Sequence, residues 1–466
     1  MHDRCHYYLL PIGGTATAGL AGLLHEAGER VSGVDTALYP PTSELLAALG
    51  IPVRLGYDPE RIPADADRIV IGNALPRSNP EVQAVLARGL PYTSQAAAFG
   101  DRFCADRRTV VVAGTHGKTT TTALAAHLFT AGGLDPTVLV GGQPVGGTPW
   151  RLGRGGWTVV EGDEYNTAFF DRGPKFLHYH PHLFVVGNVE FDHGDIYPDL
   201  DAILAAFRAG SALVGAAGHV VANASDPGAR DVAAGHPRTV WYGFGEEAAL
   251  RCLDWGHADG RLCARVAWRG ETFDLSAPLV GRHNLDNLLA ATTCALLAGL
   301  QPPAIAAAAA TFPGVRRRLE VVGEAAGIVV VDDFAHHPTA VALTLDGARH
   351  CFPGRRLVAA FEPRSLTAGR TMFFAAYVEA FARADLALIA PVYHRGRLAA
   401  GEALDREALV RALRARGGDA AAIAEGVDLV AAVRAHLRAG DVVITMSSGE
   451  FGGLPRRLAA ALAEAG

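Results

Sequence analysis

The stretch Thr109-Val110-Val111-Val112-Ala113-Gly114-Thr115-His116-Gly117-Lys118-Thr119-Thr120-Thr121-Thr122 decides how this chain is read. Its β-branched opening predicts a buried strand, its glycines a tight turn, and its threonines the start of a helix. Amides in such a turn, together with a helix N-terminus, present partial positive charge to phosphate oxygens. Lys118 adds a full charge toward the β- and γ-phosphates, and the Thr119 hydroxyl is placed to hold Mg²⁺. Only Thr115-His116 separate Gly114 from Gly117-Lys118, so this is a shortened relative of the standard phosphate loop. A plain Gly/Thr turn with an exposed lysine is the competing reading; the strand–turn–helix context favours phosphate.

Composition sharpens the point. Of the 42 basic residues only Lys118 and Lys175 are lysines. Ammonium is a compact charge on a flexible stem and guanidinium a wide planar fork, so a lysine retained among arginines suggests a chemical need. Two further apolar runs, Thr158–Val160 and Phe184–Val186, also end in polar clusters, Glu161–Glu164 and Asn188–His193. Ligands of open α/β sheets collect beyond the carboxyl ends of strands, which places the three clusters in one crevice. Glu161 then suits Mg²⁺, a hard cation that takes oxygen ligands, and His193 is a candidate to complete its set.

Outward from this core, short strands alternate with Ala/Leu-rich helices, the pattern of an α/β protein with parallel sheets. The predicted strands are Tyr7–Leu10, Arg30–Gly33 and Ile69–Ile71 before the loop, then Ile328–Val331, Leu357–Phe361, Leu386–Ile389 and Val442–Met446 after it. Leu250–Leu275 looks like a small antiparallel appendage, and Asn79-Pro80 like a turn. A chain of 466 residues exceeds one core, and we expect three domains, at 1–104, 105–314 and 315–466. A net charge of -6 argues against a general nucleic-acid binder, and 50% hydrophobic residues argue against disorder. The six cysteines are scattered, as expected in a reducing compartment. With no signal-like start and no membrane span predicted, the expectation is a cytoplasmic protein.

Further candidates sit at other element ends. Gly281–Asn287 opens a helix, with Asn284 and Asn287 on one face; Asn284 reads equally as a helix cap. Arg316-Arg317-Arg318-Leu319-Glu320 lies at a domain junction. Asp332-Asp333-Phe334-Ala335-His336-His337-Pro338 ends a strand, but no cluster in the sequence completes a transition-metal ligand set around it.

Taken together, Gly114–Thr120, Glu161–Glu164, Asn188–His193, Gly281–Asn287, Arg316–Glu320 and Asp332–Pro338 resemble, in order and spacing, the motifs of the Mur ligase family. The resemblance covers essentially the whole chain. It implies a Rossmann-like N-terminal domain, a central P-loop ATPase-type domain and a Rossmann-like C-terminal domain. It also implies ATP and Mg²⁺ as cofactors and amide-bond formation through an acyl phosphate. By that resemblance Lys118, Glu161, His193 and His336 are catalytic, with Thr119, Glu161 and His193 on the metal. Gly114, Thr115, His116, Gly117, Lys118, Thr119, Thr120, Asn284, Asn287, Arg318 and Asp333 would face the nucleotide. Gly13, Gly14, Thr15, Asp35, Asn73, Asn188, Arg364 and Arg370 would face the substrates.

The implied partners are UDP-N-acetylmuramate and a diaminopimelate-containing murein peptide, with L-alanine as the alternative amine; a P-loop kinase or ATPase is the rival of another class. Two departures stand out. Pro11 replaces an expected turn glycine, fixing φ and removing one donor. No lysine follows Lys175, so the carbamylated lysine of several family members is absent beyond His193.

Overall fold

The structure, a computed structural model, describes residues 4–399 and 401–464. Residues 1–3, the beginning of the start that reads as leaderless, lie outside the described residues. The first sheet is parallel, in the order Val53–Leu55, Arg30–Asp35, His6–Leu10, Arg68–Ile71, Tyr92–Ser94. Its strands carry on to the polar residues that the sequence left at their ends; the second reaches Asp35. Asn79-Pro80 begins a helix, Pro80–Arg88, instead of a turn. The Asn79 side-chain oxygen accepts the N–H groups of Glu81 (3.0 Å) and Val82 (3.2 Å), as a helix cap does.

The central sheet has ten strands. Its parallel middle runs Thr239–Gly243, His219–Asn223, Pro181–Val186, Arg108–Ala113, Trp157–Glu161, Thr137–Leu139. Arg108–Ala113 therefore lies between the two strands that end in the acidic and Asn/His clusters, which the crevice argument requires. The Leu250–Leu275 stretch is not a separate appendage. Leu250–Ala258 pairs in parallel with Thr239–Gly243, and Arg261–Trp268 and Glu271–Ala277 extend the same sheet antiparallel. Helices Lys118–Ala131 and Arg282–Leu297 bury Leu124, Leu128, Leu285, Leu288 and Leu289 in one core on this sheet. Both are apolar around most of their circumference, as helices packed between neighbours must be.

The third sheet runs Glu320–Ala325, Ile328–Asp333, Val442–Met446, Leu357–Phe361, Leu386–Ile389, Asp419–Ala422, with only the first strand antiparallel. Among the described residues no helix is long and apolar enough to cross a membrane.

The first and central sheets share one apolar core, in which Leu20, Leu23, Phe99 and Phe103 join Val111, Phe184 and Trp150. The join is tight. Helix Thr15–Glu26 lays Gly22 on the Trp150 indole, where a Cβ would come within 2.2 Å of the ring, and the indole N–H donates to Glu26 at 2.8 Å. The join of the C-terminal sheet's unit to the central one includes polar contacts, Arg318 to Thr119 (3.3 Å), Thr339 to Glu190 (2.7 Å) and Arg370 to the Gly194 carbonyl (3.4 Å), beside Val315 buried in the central core.

Gly22→Ala therefore has no room to relax cheaply. It is expected to cost about 1–3 kcal/mol of stability, the usual range for overpacking. A thermal melt with an unchanged midpoint would show that the join is looser than its geometry.

Candidate active site

The phosphate loop takes its shape from Gly114 (φ 143°) and Gly117 (φ 78°), conformations that favour glycine. Space makes the same demand: a Cβ on Gly117 would meet the Asn287 side-chain oxygen at 2.3 Å. Gly117 leads into Lys118–Ala131, and no side chain caps that helix's first amides. Asn188 braces the loop from the next strand. Its side chain accepts the His116 N–H at 2.7 Å and donates to the His116 carbonyl at 3.1 Å, while its own carbonyl accepts the Thr115 N–H at 2.9 Å. Expected to touch substrate, Asn188 is instead committed to the loop's backbone.

Lys118 donates to the carbonyls of Gly114 (2.7 Å) and Thr115 (3.1 Å) and to Glu164 (3.0 Å). Burial opposes its charge, but Glu164, Asp163 and Glu161 outweigh burial and hold its pKa above the ordinary value. Glu161 accepts from the Thr119 hydroxyl at 3.0 Å and from the Gly141 N–H at 2.7 Å; burial raises its pKa against the pull of Lys118. Asp163 is half-buried, and although burial opposes its charge, Lys175 and Lys118 hold its pKa far below the usual range. Lys175 thus anchors the acidic loop by an ion pair to Asp163, and its backbone N–H donates to the Asp163 carbonyl at 3.1 Å. Thr120 is buried in the helix's first turn.

Glu164, 2% exposed, is a residue to which the sequence alone assigns no role. One of its oxygens takes both the Lys118 ammonium, at 3.0 Å, and the His193 Nε2, at 2.9 Å. His193 reaches it from a left-handed backbone (φ 53°), held there by Asp192, which accepts its N–H at 2.7 Å. Burial works against a charge on His193, but Glu164 and Asp192 raise its pKa overall. Nothing in the spacing of Glu161-Gly162-Asp163-Glu164 tells which carboxylate would meet lysine and histidine; only the turn geometry decides it.

These residues fit a hard divalent cation. Thr119, Glu161, Glu164 and His193 supply mainly oxygen donors, and the second Glu164 oxygen is buried without a hydrogen bond although Lys118 lies 2.9 Å from it.

Other expected nucleotide contacts are turned inward. Gly281 caps the helix, so Asn284 is not its cap; Asn284 donates to the Val280 carbonyl (2.8 Å) and accepts from Asn287 (3.0 Å). The Asn287 oxygen accepts from Thr121 at 3.0 Å, tying the two long helices together beside Gly117. Asp333 accepts the Leu319 N–H (2.7 Å), the Ala335 N–H (2.8 Å) and the Thr344 hydroxyl (3.1 Å), so it shapes the Arg316–Glu320 turn from inside. Arg318 does face the crevice, stacked 5.0 Å above Phe334 with its guanidinium on Thr119. Burial lowers its pKa, against Asp333 and Glu161.

His336 stands at the same crevice, half-buried, with Nδ1 on the Phe334 carbonyl at 3.1 Å. Burial lowers its pKa more than Asp192 raises it, which favours the neutral ring. Donation from Nδ1 leaves a lone pair on Nε2. Arg364 stacks 3.9 Å over Tyr393, and the Nε of Arg370 is buried without a partner. In the first unit, Asp35 accepts the Gly13 N–H at 2.8 Å, Gly14 precedes the helix that starts at Thr15, and Asn73 is exposed.

The comparisons with known proteins agree across the chain. Residues 6–107 match the Mur ligase family catalytic domain, 158–295 the Mur ligase middle domain and 317–449 the Mur ligase glutamate ligase domain. The chain is 35% identical over 466 residues to the UDP-N-acetylmuramate–L-alanyl-γ-D-glutamyl-meso-2,6-diaminoheptandioate ligase of Escherichia coli, covering 98% of each. It is 38% identical over 468 residues to the UDP-N-acetylmuramate–L-alanine ligase of a Roseiflexus species, covering 96% of each. A crystal structure of a murein peptide ligase from Psychrobacter arcticus superposes with a TM-score of 0.76 at 30% identity, covering 98% of this chain and 99% of that one.

Lys118→Arg is expected to lower ligation by about a hundredfold to a thousandfold, because a planar fork cannot reach the two carbonyls and Glu164 together. Steady-state release of phosphate measures it, and near-normal turnover would count against the site.

Proposed function

This chain belongs to the Mur ligase family, whose members are ATP-dependent amide ligases that form ADP, and we propose that it joins UDP-N-acetylmuramate to L-alanyl-γ-D-glutamyl-meso-diaminopimelate. The observation that carries the chemistry is the meeting of Lys118 and His193 on Glu164, beside Thr119 and Glu161 and in front of an uncapped helix.

In this reading residues 1–104 hold the uridine diphosphate, 105–314 the nucleotide and 315–466 the amine. Gly13, Gly14 and Thr15 lie at a helix N-terminus that suits a diphosphate. A carboxylate oxygen of the muramate attacks the γ-phosphorus of ATP, the β–γ bridge breaks, and ADP leaves. The amine nitrogen then attacks the acyl carbon, a C–N bond forms, and phosphate departs. Both partners in the first step are negative, so the barrier is largely repulsion. Lys118, the loop amides and Arg318 offset it, exchanging their internal contacts for phosphate oxygens. Thr119, Glu161, Glu164 and His193 would hold Mg²⁺, which supplies further charge neutralisation there. Neutral His336 is suited to take the proton from the attacking amine.

The peptide is preferred over L-alanine because Arg364 and Arg370 have donor capacity to spare. The Arg364 fork meets Glu362 only at 3.5 Å, and Arg370 Nε has no acceptor. A diaminopimelate-bearing peptide brings carboxylates for such forks, whereas a single alanine brings one. The 38% identity with an L-alanine ligase supports the second reading. The placement in murein recycling, inside the cytoplasm where ATP is available, follows from the peptide reading.

Turnover with ATP and UDP-N-acetylmuramate should be faster with the tripeptide than with L-alanine; the reverse order assigns the chain to the alanine reaction. Phosphate release with neither amine would point to an ATPase instead. The acid limb of the rate profile should fall below the ordinary imidazole pKa, because His336 works neutral and is lost as it protonates. His336→Gln should remove that limb along with most of the rate, and a surviving limb would assign it to another group.

A further inference from the structure

We infer that the crevice carries a transition-metal site, separate from the Mg²⁺ cluster, built by His116, Glu190 and His337 and suited to Zn²⁺. The sequence alone offers no partner set for the histidines after Asp333. The fold supplies one, by placing His337 against two residues of the central unit.

One donor atom from each residue lies within 4.8 Å of the other two. His116 Nε2 is 3.3 Å from a Glu190 oxygen, and His337 Nδ1 is 3.8 Å from the same oxygen. Ligands held at about 2.0–2.1 Å by a tetrahedral ion lie about 3.4 Å apart, so small side-chain shifts close the set. Two imidazoles and a carboxylate favour Zn²⁺ and its neighbours over Mg²⁺, which prefers an all-oxygen shell.

Outer contacts already aim the carboxylate. The Thr339 hydroxyl donates to Glu190 at 2.7 Å, and the Glu190 N–H donates to the Thr115 hydroxyl at 2.9 Å. Such supports orient ligands in metal sites. The rings of His116 and His337 stand 4.9 Å apart at 39°, so the two imidazoles already face one another across the join. The Thr339 N–H reaches His337 Nδ1 only at 3.4 Å, a weak bond for an ion to displace.

The placement gives the site a consequence. His116 belongs to the phosphate loop, Glu190 to the loop after Pro181–Val186, and His337 to the start of helix Pro338–Cys351. An ion shared by these three ties the central unit to the C-terminal one. Occupancy therefore opposes any reopening that product release needs, and Zn²⁺ inhibits turnover.

Titration of the metal-free full-length protein with Co²⁺ alone tests the site, independently of which amine is the substrate. The expected result is one saturable set of visible d–d bands that Zn²⁺ displaces. The bands persist in Glu161→Gln, which disables the other cluster, and vanish in His337→Gln and Glu190→Gln. Thr339→Val keeps all three ligands and should bind about tenfold to a hundredfold more weakly, a readout that holds even if a ligand variant fails to fold. Bands absent from the wild type, retained in His337→Gln, or lost only in Glu161→Gln overturn the proposal.

Discussion

A single oxygen of Glu164, almost shut off from water, receives both the Lys118 ammonium and the His193 ring. A carboxylate so buried needs partners of opposite sign, since removing one leaves an uncompensated charge in a poor dielectric. That requirement pulls three strand ends together. The acidic loop comes from Trp157–Glu161, the lysine from the turn after Arg108–Ala113, and the histidine from the loop after Pro181–Val186. Two neighbouring contacts keep the acidic loop in place. Lys175 pairs with Asp163, and the Tyr197 hydroxyl donates to the Glu164 carbonyl at 2.7 Å. Both lysines of the chain serve this one loop. A point ammonium fits where several carbonyl and carboxylate oxygens converge, and a guanidinium does not.

The elements that could be read from sequence were those with a local cause. Val110–Ala113 and Phe184–Val186 are β-branched or aromatic runs, and they are strands because such runs suit a buried sheet. Gly114 and Gly117 marked the turn before Lys118 because positive φ is a demand of the local backbone. The scarcity of lysine drew attention to Lys118 and Lys175, and in the structure each is paired with a carboxylate of the same acidic loop.

What depended on partners distant in sequence could not be read. Asn188, Asn284, Asn287 and Asp333 have the chemistry of ligand contacts, yet each satisfies buried backbone or side-chain groups of its own protein. Residue type reveals donor capacity and not its destination. Glu164 escapes assignment for the converse reason, because three carboxylates within four positions look alike until the turn orients them. His337 meets Glu190 only through the packing of one sheet's unit against another, far apart in the chain.

The two joins between units differ in how much apolar surface they share. At the first join Gly22 lies flush on Trp150 within a shared apolar core, so separation would expose that core to water. At the second, Arg318 meets Thr119, Thr339 meets Glu190 and Arg370 meets a carbonyl; water can replace each of these bonds at small net cost. The first join is therefore the costlier of the two to separate. A join that opens at small cost would suit the proposed route through an acyl phosphate, which water would destroy. Arg318 and His336 both stand at this second join, so in the proposed reaction a closing step there would exclude water and bring up cation and base together. On that proposal the polar residues of the second join would serve both the chemistry and its reopening, which a more apolar join would oppose.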